Sequence, residues 1–226
     1  MNTKRRILDV HIIESNRPTE PIAEGPALTS ILKISDINAH PYVVGTRPDF
    51  EAAVASIAAH PRCIPHHRHF LPFLHFALHA TRRGILLRGK ELIQWPELLT
   101  ILTPLRERLQ GNLLIAMSAC EGFFGFQLAC CFERYTYHFL VGPRTRIDWR
   151  DSLLAYHVFY HSLFFRRAEP PKAVDAMNRS LLSRSCAFDY TWGPEVQRNF
   201  KKYLSIDEDI VAMRLKAKKI KTAKSI

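Results

Sequence analysis

Nowhere does the chain hold the roughly 20 consecutive apolar residues that a bilayer-crossing helix requires, so no membrane partner is expected. It has no phosphate-binding loop, no Gly-x-Gly-x-x-Gly turn and no Gly-x-Ser-x-Gly elbow. Nucleotide, dinucleotide and serine-hydrolase readings are left without an anchor. The N-terminus offers Lys4, Arg5 and Arg6, but Asp9, His11 and Glu14 interrupt the apolar stretch after them, a poor match to a secretion signal. Cysteine is scarce and odd in number: the five, at positions 63, 120, 130, 131 and 186, cannot all pair internally and form no disulfide framework. A reduced, cytoplasmic protein is expected. Acids vanish after residue 213, where Arg214, Lys216, Lys218, Lys219, Lys221 and Lys224 supply six of the positive charges behind a net of +11. Aromatic residues are absent from that stretch too, which excludes a base-stacking platform. The tail reads as a solvated terminus, with nucleic-acid contact through it as the less favoured alternative.

What is present suffices for one large domain. Hydrophobic residues make up 47% of the 226 and charged residues 23%. Strand and helix patterns alternate from end to end. Strands are expected at Arg6–Glu14, Tyr42–Gly45, His69–His79, Leu113–Ala119 and His138–Val141, with a short hairpin, or a strand with a turn, at Gly84–Arg88 and Glu91–Gln94. Helices are expected at Ala27–Ile34, Asp49–Ala59, Trp95–Leu109, Phe123–Tyr135, Asp148–Phe165 and Pro170–Leu182. The pattern weakens at Trp192–Tyr203, and Asp207–Lys219 reads as a polar helix or tail. Apolar residues on both faces of the central strands fit a parallel sheet covered on both sides. The fold class is α/β, a mainly parallel sheet between helical layers, with one domain over 1–205 and a basic helix or tail over 206–226.

Two of the apolar runs end on reactive residues. Phe70–His79 stops on an imidazole, and Asn112–Cys120 stops on a thiol that precedes the glycine-punctuated Glu121-Gly122-Phe123-Phe124-Gly125. In a parallel sheet both side chains emerge at the carboxyl edge, where such folds bind ligands. A helix N-terminus and an imidazole each lower a thiol's pKa, and unpaired amides at such a turn can hold an oxyanion. The pair points to cysteine-hydrolase chemistry, with His79 as base and Cys120 as nucleophile. Cys130, Cys131 and Cys186 read as small buried hydrophobes.

The segments Leu74-His-Phe-Ala-Leu-His-Ala80, Gly84-Ile-Leu-Leu, Leu113-Leu-Ile-Ala-Met-Ser-Ala-Cys-Glu121, Phe139-Leu-Val-Gly-Pro143 and Phe159-Tyr-His-Ser-Leu163 together resemble the caspase-like peptidases. The likeness is greatest to the bacterial CHAT-type branch. It spans about residues 70 to 165, with all five pieces in order. The resemblance implies a three-layer caspase-like sandwich. It implies a catalytic His79 and Cys120, an oxyanion hole from the backbone N–H groups of Ala80 and Cys120, and a specificity pocket near Ser118. Glu121 is a further pocket candidate, or a solvated or capping residue. The implied activity is cleavage of a protein substrate, under the control of a regulatory protein partner and without a cofactor. One departure stands out: the family has glycine after the histidine, and this chain has Ala80. A catalytically silent scaffold that binds a protein partner is the alternative.

His60, Cys63, His66, His67 and His69 form the densest group of metal-ligand types. No second ligand pair occurs downstream at finger-like spacing, and neighbouring arginines oppose a cation. The stretch reads as a polar loop, and no metal is expected. His75 either supports the site or is a satisfied core histidine.

Overall fold

Parallel pairing of strongly apolar strands organises the molecule. β1 (Ile7–Glu14), β2 (Asn38–Val43), β3 (Phe70–Ala77), β7 (Leu114–Ser118), β8 (Phe139–Pro143) and β9 (Phe188–Trp192) form one sheet in the order β2-β1-β3-β7-β8-β9. All neighbours run parallel except β8 and β9. β4 (His79–Thr81), β5 (Gly84–Leu86) and β6 (Leu92–Gln94) form a separate antiparallel sheet. The computed structural model describes residues 7–15, 23–60, 70–130, 135–181 and 187–199. The expected helix or tail over 206–226, the basic stretch and Cys63, Cys131 and Cys186 lie outside these.

Period-two alternation sends each strand's side chains into two cores. Val10, Ile12, Phe73, Ala77, Leu114, Ala116, Phe139 and Val141 pack on α1 (Glu24–Ile34), α5 (Trp149–Phe164) and α6 (Pro170–Ser180). Ile13, Leu74, Phe76, Ile115, Met117 and Leu140 pack on α2 (Arg47–Ala59), α3 (Trp95–Ile101), α4 (Thr103–Leu109) and a 3-10 helix, Gly122–Ala129. The result is a mixed, mostly parallel sheet between two helical layers. Each fully buried Leu, Ile or Phe in these cores contributes about 1.5–3 kcal/mol through burial.

Local chemistry explains most boundaries. The Thr46 hydroxyl and the Asp49 carboxylate cap α2 reciprocally, and Arg47-Pro48 opens it two residues earlier than expected. Asp148 caps α5 by accepting from the Arg150 amide at 2.8 Å. The Trp95–Leu109 helix is in fact two, because Pro104 lacks the N–H for Thr100 and its ring crowds that carbonyl. Leu98, Leu99, Leu102, Leu105 and Leu109, which helical spacing sets on one apolar stripe, are all buried. Pro72 occupies a central strand, but β7 begins its pairing only at Phe73, so no donor is missed there. Pro41 sits in β2, an outer strand, where proline belongs.

Three elements differ more deeply from the sequence pattern. The expected His69–His79 strand ends at Ala77, and the chain bends at Leu78. His79 therefore opens the small antiparallel sheet rather than closing the central strand. The expected Phe123–Tyr135 α-helix is a 3-10 helix ending at Ala129, with residues 131–134 outside the described set. The Trp192–Tyr203 segment divides into the end of β9 and α7 (Gly193–Arg198).

Gly84 closes the β4–β5 hairpin where a Cβ would lie 2.1 Å from the Ile93 oxygen. A Cβ at Gly89 would lie 3.8 Å from its nearest neighbour, the Gly45 oxygen. Gly84→Ala is expected to destabilise by about 2–3 kcal/mol, a fall in Tm of about 5–10 °C. Gly89→Ala should leave Tm nearly unchanged. Equal thermal melts for the two variants would contradict the hairpin packing.

Candidate active site

The last paired residues of β3 and β7 are Ala77 and Ser118. His79 and Cys120 each lie two residues beyond that pair, at the carboxyl edge of adjacent parallel strands. Leu78 and Ala80 are buried in the core beneath α2, α3 and α4, as Leu74 and Phe76 are. His79, between them, is half-buried. Ala119 likewise joins Met117 in the first core, leaving Cys120 with the parity of Ser118. Ser118 faces α5, its hydroxyl 2.7 Å from that of Ser152. The Cys120 thiol, half-buried, donates to the Ile147 carbonyl at 3.7 Å, just before α5. The thiol is thereby placed on the α5 side of the sheet, and His79 leaves the same carboxyl edge through the bend at Leu78.

The loops after the two strands are fastened together. Arg82 pairs with Glu121 at 3.3 Å, and its guanidinium lies 5.1 Å from the Phe124 ring centre. With Arg82 67% exposed, that ion pair is worth little. The firmer tie is the Arg82 carbonyl, which accepts from Trp95 Nε1 at 2.8 Å and Gln127 Nε2 at 3.2 Å. On the far side, Arg144 pairs with Asp189 and stacks 4.4 Å over Phe123.

The turn after Cys120 is tight. Glu121 has φ of +56°, a left-handed conformation uncommon outside glycine. Its amide donates to the Thr145 carbonyl at 3.0 Å, and the Gly122 amide to the Ala119 carbonyl at 2.9 Å. Gly122 is required by space: a Cβ there would lie 2.7 Å from that of Met117. Glycine at 142 serves the same contact from β8, since its Cβ would lie 2.8 Å from the Gly122 carbonyl carbon. Glu121 occupies the N-cap position of the 3-10 helix without a side-chain capping bond, and Cys120 stands one residue before it.

Ala80 sits in an extended strand conformation and is absent from the positive-φ residues, which are Asp36, Lys90, Gln110, Glu121 and Arg167 among the described non-glycine positions. The conformational reason for glycine after His79 therefore does not apply here. Ala80 lies opposite Ile85, one pair beyond Thr81 and Gly84, which close a two-residue loop. In such hairpins the closing pair is the hydrogen-bonded one, so the Ala80 amide points away from β5, on the side of β4 that pairs with no strand among the described residues.

His75, by contrast, belongs to the core. Its Nε2 lies 3.1 Å from Glu24 Oε1 and its Nδ1 3.0 Å from the Tyr160 hydroxyl. All three are buried, and burial, with Glu24 nearby, raises the Tyr160 hydroxyl well above its ordinary pKa. An almost wholly apolar groove of about 400 Å³ runs between α1 and α5, lined by Ile31, Trp149, Arg150, Leu153, Leu154 and His157. Neither His79 nor Cys120 lines it.

A second constellation stands at the opposite, amino edge. Asp9 in β1, His40 in β2 and His60 at the end of α2 bring their ligand-type atoms within 4.8 Å of one another. The His11 ring stacks on His40 at 4.9 Å and meets His60 edge-on at 5.6 Å. Burial lowers the His11 pKa to about 4, with His40 and His60 adding to the effect and Asp9 opposing it. Sequence spacing hid this group, because its members come from three elements. The available sign was alternation of Asp9 with His11 on one strand and His40 with Tyr42 on the next. No protein-family model matches the chain, and no curated protein matches it.

Removing the Arg82 side chain should cost under about 1 kcal/mol. Replacing both donors to its carbonyl, as Trp95→Phe with Gln127→Leu, should cost about 3 kcal/mol or more. Urea unfolding would measure both. A loss on Arg82→Ala as large as that of the double variant would mean that the ion pair holds the loops.

Proposed function

We propose that the chain is a caspase-like cysteine endopeptidase of the CHAT-type bacterial branch, in which His79 and Cys120 act as a dyad on a protein substrate. The observation that supports this reading is the β3–β7 register, which leaves both residues two positions beyond the Ala77–Ser118 pair at one sheet edge. In this reading His79 takes the thiol proton and the Cys120 sulfur attacks the scissile carbonyl. The outward amide of Ala80 and the amide of Cys120 hold the oxyanion. The neighbouring amides of Glu121 and Gly122 are already engaged. The proton then passes to the leaving amine as the C–N bond breaks, and water hydrolyses the thioester, releasing the acid and restoring the thiol. No metal or cofactor takes part in these steps.

Regulation by a protein partner fits the resting geometry. The Cys120 thiol is turned to the Ile147 carbonyl, and Ser118, the expected pocket residue, is 6% exposed and closed off by Ser152. Glu121 is drawn to Arg82 rather than left to a substrate. The same closure favours the second reading, a catalytically silent caspase-like scaffold that docks a protein partner. A cytoplasmic setting suits a free thiol at Cys120 in either case.

Iodoacetamide reactivity separates the two. Native protein at neutral pH should be alkylated at Cys120 ahead of the other four cysteines, and His79→Ala should slow that reaction at least about tenfold. Cys120→Ala should abolish cleavage of a proteome-derived peptide library. Labelling of Cys120 no faster than Cys130, unchanged by His79→Ala, would reject the endopeptidase and leave the scaffold.

A further inference from the structure

We infer that Asp9, His40 and His60 form a binding site for a divalent transition-metal ion of the zinc class. The site lies at the sheet edge opposite the proposed dyad and is independent of it. Two imidazoles and one carboxylate are a donor set that suits zinc and its neighbours, not calcium or magnesium, which take oxygen ligands. The spacing fits. Asp9 Oδ2 and His40 Nε2 are 3.7 Å apart, and all three donors lie within 4.8 Å of one another. Ligand atoms around a tetrahedral zinc with bonds near 2.0–2.1 Å are about 3.4 Å apart, so small rotations of two partly exposed rings close the set.

Burial supplies the second observation. The Asp9 side chain is fully buried, and His40 Nε2, 3.7 Å from its carboxylate, is shielded from solvent and makes no hydrogen bond. A metal ion would give that nitrogen a partner beside the carboxylate. His11 completes the wall rather than the ligand set. Its ring lies within 20° of parallel to His40, a stacked arrangement in which both rings cannot point at one ion. Its Nδ1 lies 3.4 Å from the Tyr42 hydroxyl. His40 and His60 are partly exposed, which leaves a path for the ion and a fourth position for water.

The placement also has a structural consequence. The three ligands come from β1, β2 and the C-terminal end of α2, so an ion would tie the end of that helix to two strands of the sheet.

The full-length chain, freed of metal with a chelator, should bind Co2+ with the visible absorption of a four-coordinate nitrogen–oxygen site, and Zn2+ should displace it. Zn2+ in excess should raise Tm. His40→Gln and Asp9→Asn should each weaken Zn2+ binding, measured by calorimetry, at least about 100-fold. His40→Gln is the safer of the two because His40 is partly exposed, and circular dichroism would check both folds. A variant with Cys63, His66, His67 and His69 all changed to Ala should bind as the parent does. Absence of a saturable Co2+ spectrum in the parent would overturn the inference. So would binding that survives His40→Gln and Asp9→Asn but is lost in the 63/66/67/69 variant.

Discussion

The ladder between β3 and β7 closes with Ala77 opposite Ser118, and both chains must leave the sheet within two residues of that pair. β3 bends at Leu78 into a small antiparallel sheet, and β7 turns through Glu121 into a 3-10 helix. A one-residue slip in this register would exchange the two faces of β7. It would turn Ser118 and Cys120 into the core beneath α2, α3 and α4 and send Met117 and Ala119 toward α5. Slippage is opposed from both sides, because β3 is also paired with β1 over eight positions and every residue of β7 is buried.

A buried polar network fixes the same strand from above. His75 joins Glu24 of α1 to Tyr160 of α5 across β3, with aromatic packing from Tyr156 at 4.7 Å. Such a network rigidifies only when every member is satisfied, and loss of one partner strands the others at about 1–3 kcal/mol each. Glu14 does related work at the end of β1. Its buried carboxylate accepts from the Gly25 amide at 3.1 Å, near the positive end of α1. A Cβ at Gly25 would lie 2.8 Å from an oxygen of that carboxylate, which would have to turn aside to admit it.

Much of this was legible in the chain because burial on two faces leaves continuous apolar runs. The strands at Ile7–Glu14, Leu114–Ser118 and Phe139–Pro143 arise from composition and the cap at Asp148 from local chemistry, whereas the Thr46 cap, two residues ahead of the expected start of α2, was not anticipated. The bend at Leu78 was hidden because Phe70 to His79 is apolar almost throughout, and the change of sheet is set by pairing with β5, not by a breaker residue. The contact of Gly122 with Met117 and Gly142, at the start of the 3-10 helix, was hidden because it brings in a residue of a later strand. At the candidate site, His79 and Cys120 were found from their places at the ends of runs. The engagement of Ser118 with Ser152 could not be, since it crosses from strand to helix. Asp9, His40 and His60 escaped for the same reason, whereas His66, His67 and His69 drew attention by adjacency alone.

Pro41 lies in the middle of β2, whose outer side has no neighbouring strand among the described residues. Without an amide hydrogen, that rim of the sheet is one donor short, and Val43 beside it is 68% exposed. A strand from another polypeptide could not continue the ladder there without leaving a carbonyl unmatched. Growth of the sheet into ribbons or fibres is therefore disfavoured at this border, and any molecule that meets it must be recognised through side chains.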